Sequence, residues 1–489
     1  MEFILVAFFR GLKYKEIMNR RSIKSNRRET RGRKNLLAGL SLLPLLSLFS
    51  LFFLTFISPG CSDGKENAAK DTSSPEDKFQ LYRVNLPSEM RPLPEPLGSD
   101  RSQPGFKIRG IKGWAWEPEQ YLAEIPYLVK GQMNFLMNCY LSMFSDPEKF
   151  VNRWWEPIPA AKKLSYEQVV KACFENGIMF CFSLNPQLFS ERPFRYENQE
   201  DFELLWSHYS WMQGLGVRWF SLSFDDIPVE GLDKASLGES QAEVSNKLLL
   251  RLREKDPEAN LIICPVYYWG CGQGEEAQAY LNALGQKLHP DIYVFWTGDG
   301  IVTNKITVAC AQAYKSLVNH RLIIWDNYPV NDRQPVLHLG PVSGREAGLA
   351  EVADGYMSNP LSPQNEINRL PLLTCADYAF NPWKYDPGRS IGQSIMHLAE
   401  TKSQREVLRE LVELFPGEIN LGRTETGYNP LLEKFNLLRT EPEGDKLTRE
   451  FVNYVENVLW RLEQEFPGQY SSTKKTIAYN IELMKKKLG

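Results

Sequence analysis

Between Phe106 and Asn359 the chain repeats one unit eight times, a short and almost uniformly apolar run followed by a connecting, usually helix-like stretch. The runs are FKIRGIKGWAW, NFLMNCYLSMF, IMFCFSLNP, VRWFSLSFDD, ANLIICPVYYW, DIYVFWTGD, RLIIWDNYPVN and EVADGYMSN. They lack the apolar–polar alternation of a half-exposed sheet, so both faces need cover. The intervening helical patterns supply it: EPEQYLAEIPYLVKG, 165–176, 198–212, 240–255 and EEAQAYLNALGQKL. This pattern predicts an α/β chain folded as a parallel (β/α)8 TIM barrel with its helices outside. An open doubly wound sheet uses the same units. Polar residues gather at the C-terminal end of nearly every run, however, and only a closed ring converges them on one mouth.

The barrel is expected over 105–386. Beyond it, REVLRELVELF and LTREFVNYVENVLWRLEQEF, separated by Pro and Gly, predict an antiparallel helical bundle over 387–489. The other end is different in kind. Residues 1–60 carry eleven Lys or Arg against three Glu, so the remainder is more acidic than the net charge of -3 indicates, which argues against a nucleic-acid partner. A basic run over 20–34 precedes an uncharged apolar stretch over 36–57 and then Ser58, Pro59, Gly60 and Cys61, the order of a secretory signal. Small residues directly before a cysteine resemble a bacterial lipoprotein signal, in which Cys61 is lipidated, although Ser58 stands where Leu is usual. An uncleaved membrane anchor fits the same length. Either arrangement exports the body and ties it to the cell-envelope membrane. The segment from Met18 is sufficient as a basic leader. Residues 61–104, rich in Pro, Ser and charge, read as a disordered tether.

Cys139, Cys173, Cys181, Cys264, Cys271, Cys310 and Cys375 are odd in number, sit mostly in apolar segments and lack CxxC spacing. They are expected as buried free thiols, without a disulfide framework or a zinc site. The five histidines are scattered, and no phosphate-binding loop or dinucleotide fingerprint occurs, so no metal and no cofactor is expected.

The fourth run ends in two adjacent carboxylates, Asp225 and Asp226, closed off by Pro228. Neighbouring side chains on a regular strand face opposite ways, but past the last ladder bond the backbone can turn and aim both into one cleft. That is where barrel enzymes keep their chemistry. A bare Asp-Asp pair equally suits a helix cap or a solvated loop.

Read in order, the run ends resemble the family 84 glycoside hydrolases, the group of the O-GlcNAcases and related bacterial beta-N-acetylglucosaminidases. The similarity begins at RGIKGW, sharpens at MNCYLSMFSDPEKFVNRWWEPIP and is close at GVRWFSLSFDDI. It continues through CPVYYW, FWTGDGIVTNKIT, IIWDNYPVND, LGPVSG, GYMSNP and YAFNPWKYD. The resemblance implies retaining, substrate-assisted hydrolysis of a beta-linked 2-acetamido sugar, whose own amide oxygen attacks the anomeric carbon. In such a mechanism the carboxylate-separation rule does not apply. Asp225 would hold the acetamide N–H, and Asp226 would protonate the leaving oxygen and then deprotonate water. Repulsion between the two would raise one pKa.

By the same resemblance, Tyr268 would bond the acetamide oxygen, and Cys264, Thr297 and Trp325 would line the acetyl-methyl pocket. Asn327, Asp332 and Asn359 would bind sugar hydroxyls, and the carbonyl of Gly113 would face the sugar. Without a ligand, a strand-end tyrosine also reads as core and Asn or Asp as turn formers. Two departures stand out. Ser145 occupies the place of a sugar-gripping lysine, and GIKGWAWEP lacks the acidic residue and the Gly-Phe-Tyr-Gly order expected there. The expected partner is a glycan or glycopeptide, with no obligate protein partner. Two rival readings are a catalytically impaired, lectin-like sugar-binding surface lipoprotein, and a metal-dependent hydrolase using Asp225, Asp226 and Asp332. A mouth closed by Trp114 or Trp116 would count against the enzyme.

Overall fold

The structure, a computed structural model, describes residues 74–489 except 114, 145–150, 332–335, 363–364, 418–419 and 421–428. The leader, Cys61, Trp114, Ser145 and Asp332 lie outside the described residues.

Eight parallel strands close into a barrel in sequence order. They are β1 (Ile108–Lys112), β2 (Phe135–Met137), β3 (Met179–Leu184), β4 (Trp219–Ser223), β5 (Asn260–Cys264), β6 (Tyr293–Trp296), β7 (Arg321–Pro329) and β8 (Ala353–Asn359). Closure is made by β1 on β8, with Ile108 beside Gly355 and Ile111 beside Ser358. Helices α1 (Pro118–Lys130), α2 (Ala160–Glu175), α3 (Gln199–Gly214), α4 (Lys234–Lys255), α5 (Glu275–Lys287), α6 (Val308–Val318) and α7 (Asn365–Phe380) follow the strands. Asn198, Asp233 and Thr307 cap α3, α4 and α6 by accepting backbone N–H bonds, which fixes where each helix starts.

The strands are buried on both faces, and the period of two sorts their side chains into two cores. Ile111, Phe180, Phe182, Phe220, Leu222, Leu261, Ile263, Val294 and Ile324 face the helices in the larger core. Ile108, Phe135, Met137, Cys181, Ile262, Cys264, Phe295, Ile323, Trp325 and Met357 fill the barrel interior. Continuing the interior positions two by two toward the C-terminal ends leads to Lys112, Cys139, Asn185, Asp225, Thr297, Asn327 and Asn359. The alternation that packs the floor therefore also chooses the side chains at the mouth.

Helices α8 (Pro387–Leu398), α9 (Lys402–Leu414), α10 (Pro430–Leu438), α11 (Gly444–Glu465) and α12 (Ser471–Leu488) enclose a further core with Val407, Leu411, Phe435, Phe451, Val455, Val458 and Ile477 at its centre. Helix α7 serves both cores, since Leu372 and Cys375 join the barrel side while Ile367 and Leu370 join the bundle side. Among the described residues no helix is long and apolar enough to cross a membrane.

Two expectations are corrected. Residues 74–104, assigned to the tether, lie against the helices of the C-terminal half. Phe79, Val84 and Leu93 are buried. The backbone N–H groups of Val84, Arg91 and Glu95 donate to Glu413, Gln393 and Asp377 at 3.1, 2.8 and 2.6 Å. A few apolar anchors and satisfied amides hold a segment whose average composition is that of a linker. Second, Cys271 and Cys310 form a disulfide rather than remaining free thiols. The loop after β5 and the first turn of α6 belong to neighbouring units of the ring, and their Cα atoms are 4.6 Å apart. Cys139, Cys173, Cys181, Cys264 and Cys375 are buried and lie outside that disulfide.

Candidate active site

Asp225 lies two residues beyond Ser223, on the interior side of β4, and is 5% exposed. Asp226 has a φ of +58°, in the left-handed region that non-glycine residues seldom adopt. This turn in the chain brings a second, half-buried carboxylate to the same mouth, where a regular strand would have sent it toward the helices. Local strain of this kind is held only where the surroundings over-determine it.

The surroundings are specific. Tyr140 donates its hydroxyl to Asp225 Oδ2 at 2.7 Å. Asn185 Nδ2 donates to Asp225 Oδ1 at 3.2 Å and to its backbone carbonyl at 3.1 Å. Tyr268 donates its hydroxyl to Asp226 Oδ1 at 2.8 Å. The ends of β2, β3, β4 and β5 are thus joined through two carboxylates. Burial first, and then the adjacent charge of Asp226, push the Asp225 carboxyl up to about 6, against the ammonium of Lys112 and the Tyr140 bond. Burial raises both tyrosines well above their usual range, so they remain protonated donors. The raised carboxyl is the inner one of the pair.

Cys264 is buried at the end of β5, and burial keeps its thiol un-ionised. Thr297 is buried and donates to the carbonyl of Gly300 at 3.1 Å. The Trp325 ring meets Phe295 edge-on at 5.2 Å. Asn359 Nδ2 donates to Asn327 Oδ1 at 2.9 Å, and Asn327 Nδ2 to the carbonyl of Ile301 at 2.8 Å. Among the described residues the Trp325 indole N–H and Asn359 Oδ1 are buried without a hydrogen-bond partner.

The first strand differs from its expected part. The carbonyl of Gly113 accepts the Tyr121 hydroxyl at 3.0 Å, and a Cβ at Gly113 would lie 2.1 Å from the Trp116 indole. Only glycine permits that approach. Trp116 is fully buried in the helix-facing core, its N–H donating to the carbonyl of Leu361 at 3.0 Å, so it does not stopper the mouth.

Three residues at the site escape sequence reasoning. Tyr140 and Asn185 hold Asp225, and Lys112, fully buried, places its ammonium 4.0 Å from the Trp325 ring centroid and 4.7 Å from that of Tyr140. Each carries a polar group at the C-terminal end of a strand. For Lys112 and Asn185, counting by twos from interior residues would have found them.

A sequence profile of the beta-N-acetylglucosaminidase family matches residues 107–413. The O-GlcNAcases of Rattus norvegicus and Mus musculus are each 28% identical over 279 residues, 55% of this chain. The matched stretch is 29% of those proteins, so the chain spans well under half the length of the curated relatives it matches. An aspartate-to-asparagine variant of a Thermobaculum terrenum O-GlcNAc hydrolase is 23% identical. It superposes with a TM-score of 0.65 over 78% of this chain and 84% of that one, a likeness of fold.

Proposed function

We propose, from the premise that the chain belongs to the beta-N-acetylglucosaminidase family of glycoside hydrolases, that it removes beta-linked N-acetylglucosamine-type residues from glycans or glycopeptides with retention of configuration. The supporting observation is the pair of adjacent carboxylates at the end of β4, one deep and multiply bonded, the other turned to the mouth. The acetamide and the leaving oxygen hang from neighbouring ring carbons, so the groups that serve them must themselves be neighbours.

In the first step the substrate's acetamide oxygen bonds to the anomeric carbon as the glycosidic bond breaks, and Asp226 gives its proton to the departing oxygen. Asp225, as a carboxylate, accepts the acetamide N–H and steadies the positive oxazoline-like ring. In the second step Asp226 takes a proton from water as that water attacks the anomeric carbon and reopens the ring. No protein nucleophile is needed, because alignment of the internal one supplies much of the barrier reduction. The reaction needs one proton on the pair, and bound substrate decides where it sits. An acetamide N–H favours Asp225 as anion; a glycosidic oxygen favours Asp226 as acid.

The test is turnover of a chromogenic GlcNAc glycoside by wild type, Asp225→Asn and Asp226→Asn, with the first-formed anomer read by NMR. Loss in both variants and a beta first product support the reading. Tight sugar binding with no turnover of any acetamido sugar would instead identify the impaired sugar-binding lipoprotein.

We also propose that the protein is exported and held to the cell-envelope membrane through Cys61. The Cys271–Cys310 disulfide supports an oxidising compartment. Palmitate labelling that persists in Cys61→Ser would refute the lipid anchor.

A further inference from the structure

Lys112 ends β1 on the interior side of the barrel, and none of its surface is exposed. A lysine this deep is rare unless its charge is used. It cannot grip a sugar directly, since a ligand in the mouth meets only exposed atoms. Its ammonium lies over the rings of Trp325 from β7 and Tyr140 from the end of β2. Tyr140 in turn holds Asp225. Burial lowers the pKa of Lys112, and Cys139, Asp225, Cys264 and Asp226, from the ends of β2, β4, β5 and β4, oppose that shift. Tyr140 and Asn185, both neutral, donate to Asp225.

A carboxyl buried as deeply as Asp225 persists as an anion in a low-dielectric site only with compensation. We propose that Lys112 is a positioning residue: a buried ammonium beside the catalytic pair that keeps Asp225 ionised to receive the acetamide N–H. Lys112 thereby acts on the reaction through Asp225 without touching substrate. The proposal rests on the hydrolase reading of the pair.

Because Lys112 meets no substrate, its replacement lowers kcat more than it raises KM. In Lys112→Met, and in Lys112→Gln as the variant that keeps a polar end, the acid limb of the kcat/KM profile moves up by about one unit, which lowers kcat/KM about tenfold on that limb. Lys112→Arg keeps the limb near its wild-type position. The same shift is read without turnover by carbon NMR of the Asp225 carboxyl in protein carrying labelled aspartate. If either neutral variant folds, with unchanged circular dichroism, and both acid limb and carboxyl titration stay put, the proposal is overturned. If wild type does not turn over a GlcNAc glycoside but the carboxyl titration moves with Lys112, the charge coupling stands and the hydrolase reading fails.

Discussion

Tyr140 and Asp225 are 85 residues apart in sequence, and their 2.7 Å hydrogen bond ties the end of β2 to the end of β4 inside the barrel mouth. The hydroxyl donates to the carboxylate in a buried setting, where a bond to a charged acceptor contributes roughly 1.5–3 kcal/mol. Tyr140→Phe removes it and keeps the ring. If Asp225 must be ionised to serve the acetamide, the variant loses about tenfold to a hundredfold in kcat/KM, because each 1.4 kcal/mol is one decade. Steady-state kinetics on a GlcNAc glycoside checks this, and an unchanged kcat/KM would separate Asp225 from the reaction.

The same carboxylate sets the pH dependence. Its pKa is pushed up to about 6 by burial and by Asp226, and the form the chemistry needs is the ionised one. Activity is therefore present above that value and falls as pH drops through about 6, with a slope of one on a logarithmic plot of kcat/KM, which reports the free enzyme. A limb near 4, the ordinary carboxylate range, would mean that the inner carboxyl is not the group being titrated.

The barrel was legible because eight doubly covered apolar runs leave few alternatives, and the carboxyl pair was legible because it ends the fourth of them. What was not legible shares a physical cause. Tyr140, Asn185 and Lys112 act across strands, and each looks ordinary within its own segment; only interior registration makes Lys112 a neighbour of Trp325. Gly113 matches a motif by position, yet its carbonyl is met by Tyr121, a contact set by α1. Cys271 and Cys310 are paired by the adjacency of two βα units, which spacing in the chain does not encode. Phe79, Val84 and Leu93 are too few to change the mean character of a Pro-rich stretch, but enough to dock it.

Behind β7, Asp326 and Arg345 form a two-pronged ion pair at 2.7 and 2.8 Å, joined by the Tyr356 hydroxyl at 2.6 Å. Both charged side chains are 2% exposed. Removing one partner leaves a buried charge uncompensated, so Arg345→Met is expected to lower the unfolding free energy by about 3–5 kcal/mol. Replacing both, Arg345→Met with Asp326→Leu, recovers much of that loss. Urea unfolding of the single and double variants decides it. Equal destabilisation of both would mean that packing around Arg345, and not the lone charge, carries the effect.

The Cys271–Cys310 disulfide gives a last expectation, on stability and site together. It closes a sequence separation of 39 residues. A crosslink of that span restricts the unfolded chain enough to contribute about 3–4 kcal/mol, on the chain-entropy model. The paired change to serine should lower the unfolding free energy by that order in denaturant titrations under oxidising conditions. The consequence extends to the mouth, because Cys271 follows directly on Tyr268, Trp269 and Gly270. The carbonyl of Gly270 is held by the Trp296 indole at 2.9 Å, and the Thr297 backbone N–H donates to the carbonyl of Tyr268 at 2.8 Å. Those bonds keep the loop registered on β6 when the crosslink is absent, so Tyr268 should stay within reach of Asp226. The serine variant is then expected to keep kcat/KM within about threefold of wild type at 25 °C, a change under 1 kcal/mol, and to lose activity at a lower temperature. A large fall in kcat/KM at 25 °C with little change in stability would place the disulfide in the positioning of Tyr268 instead.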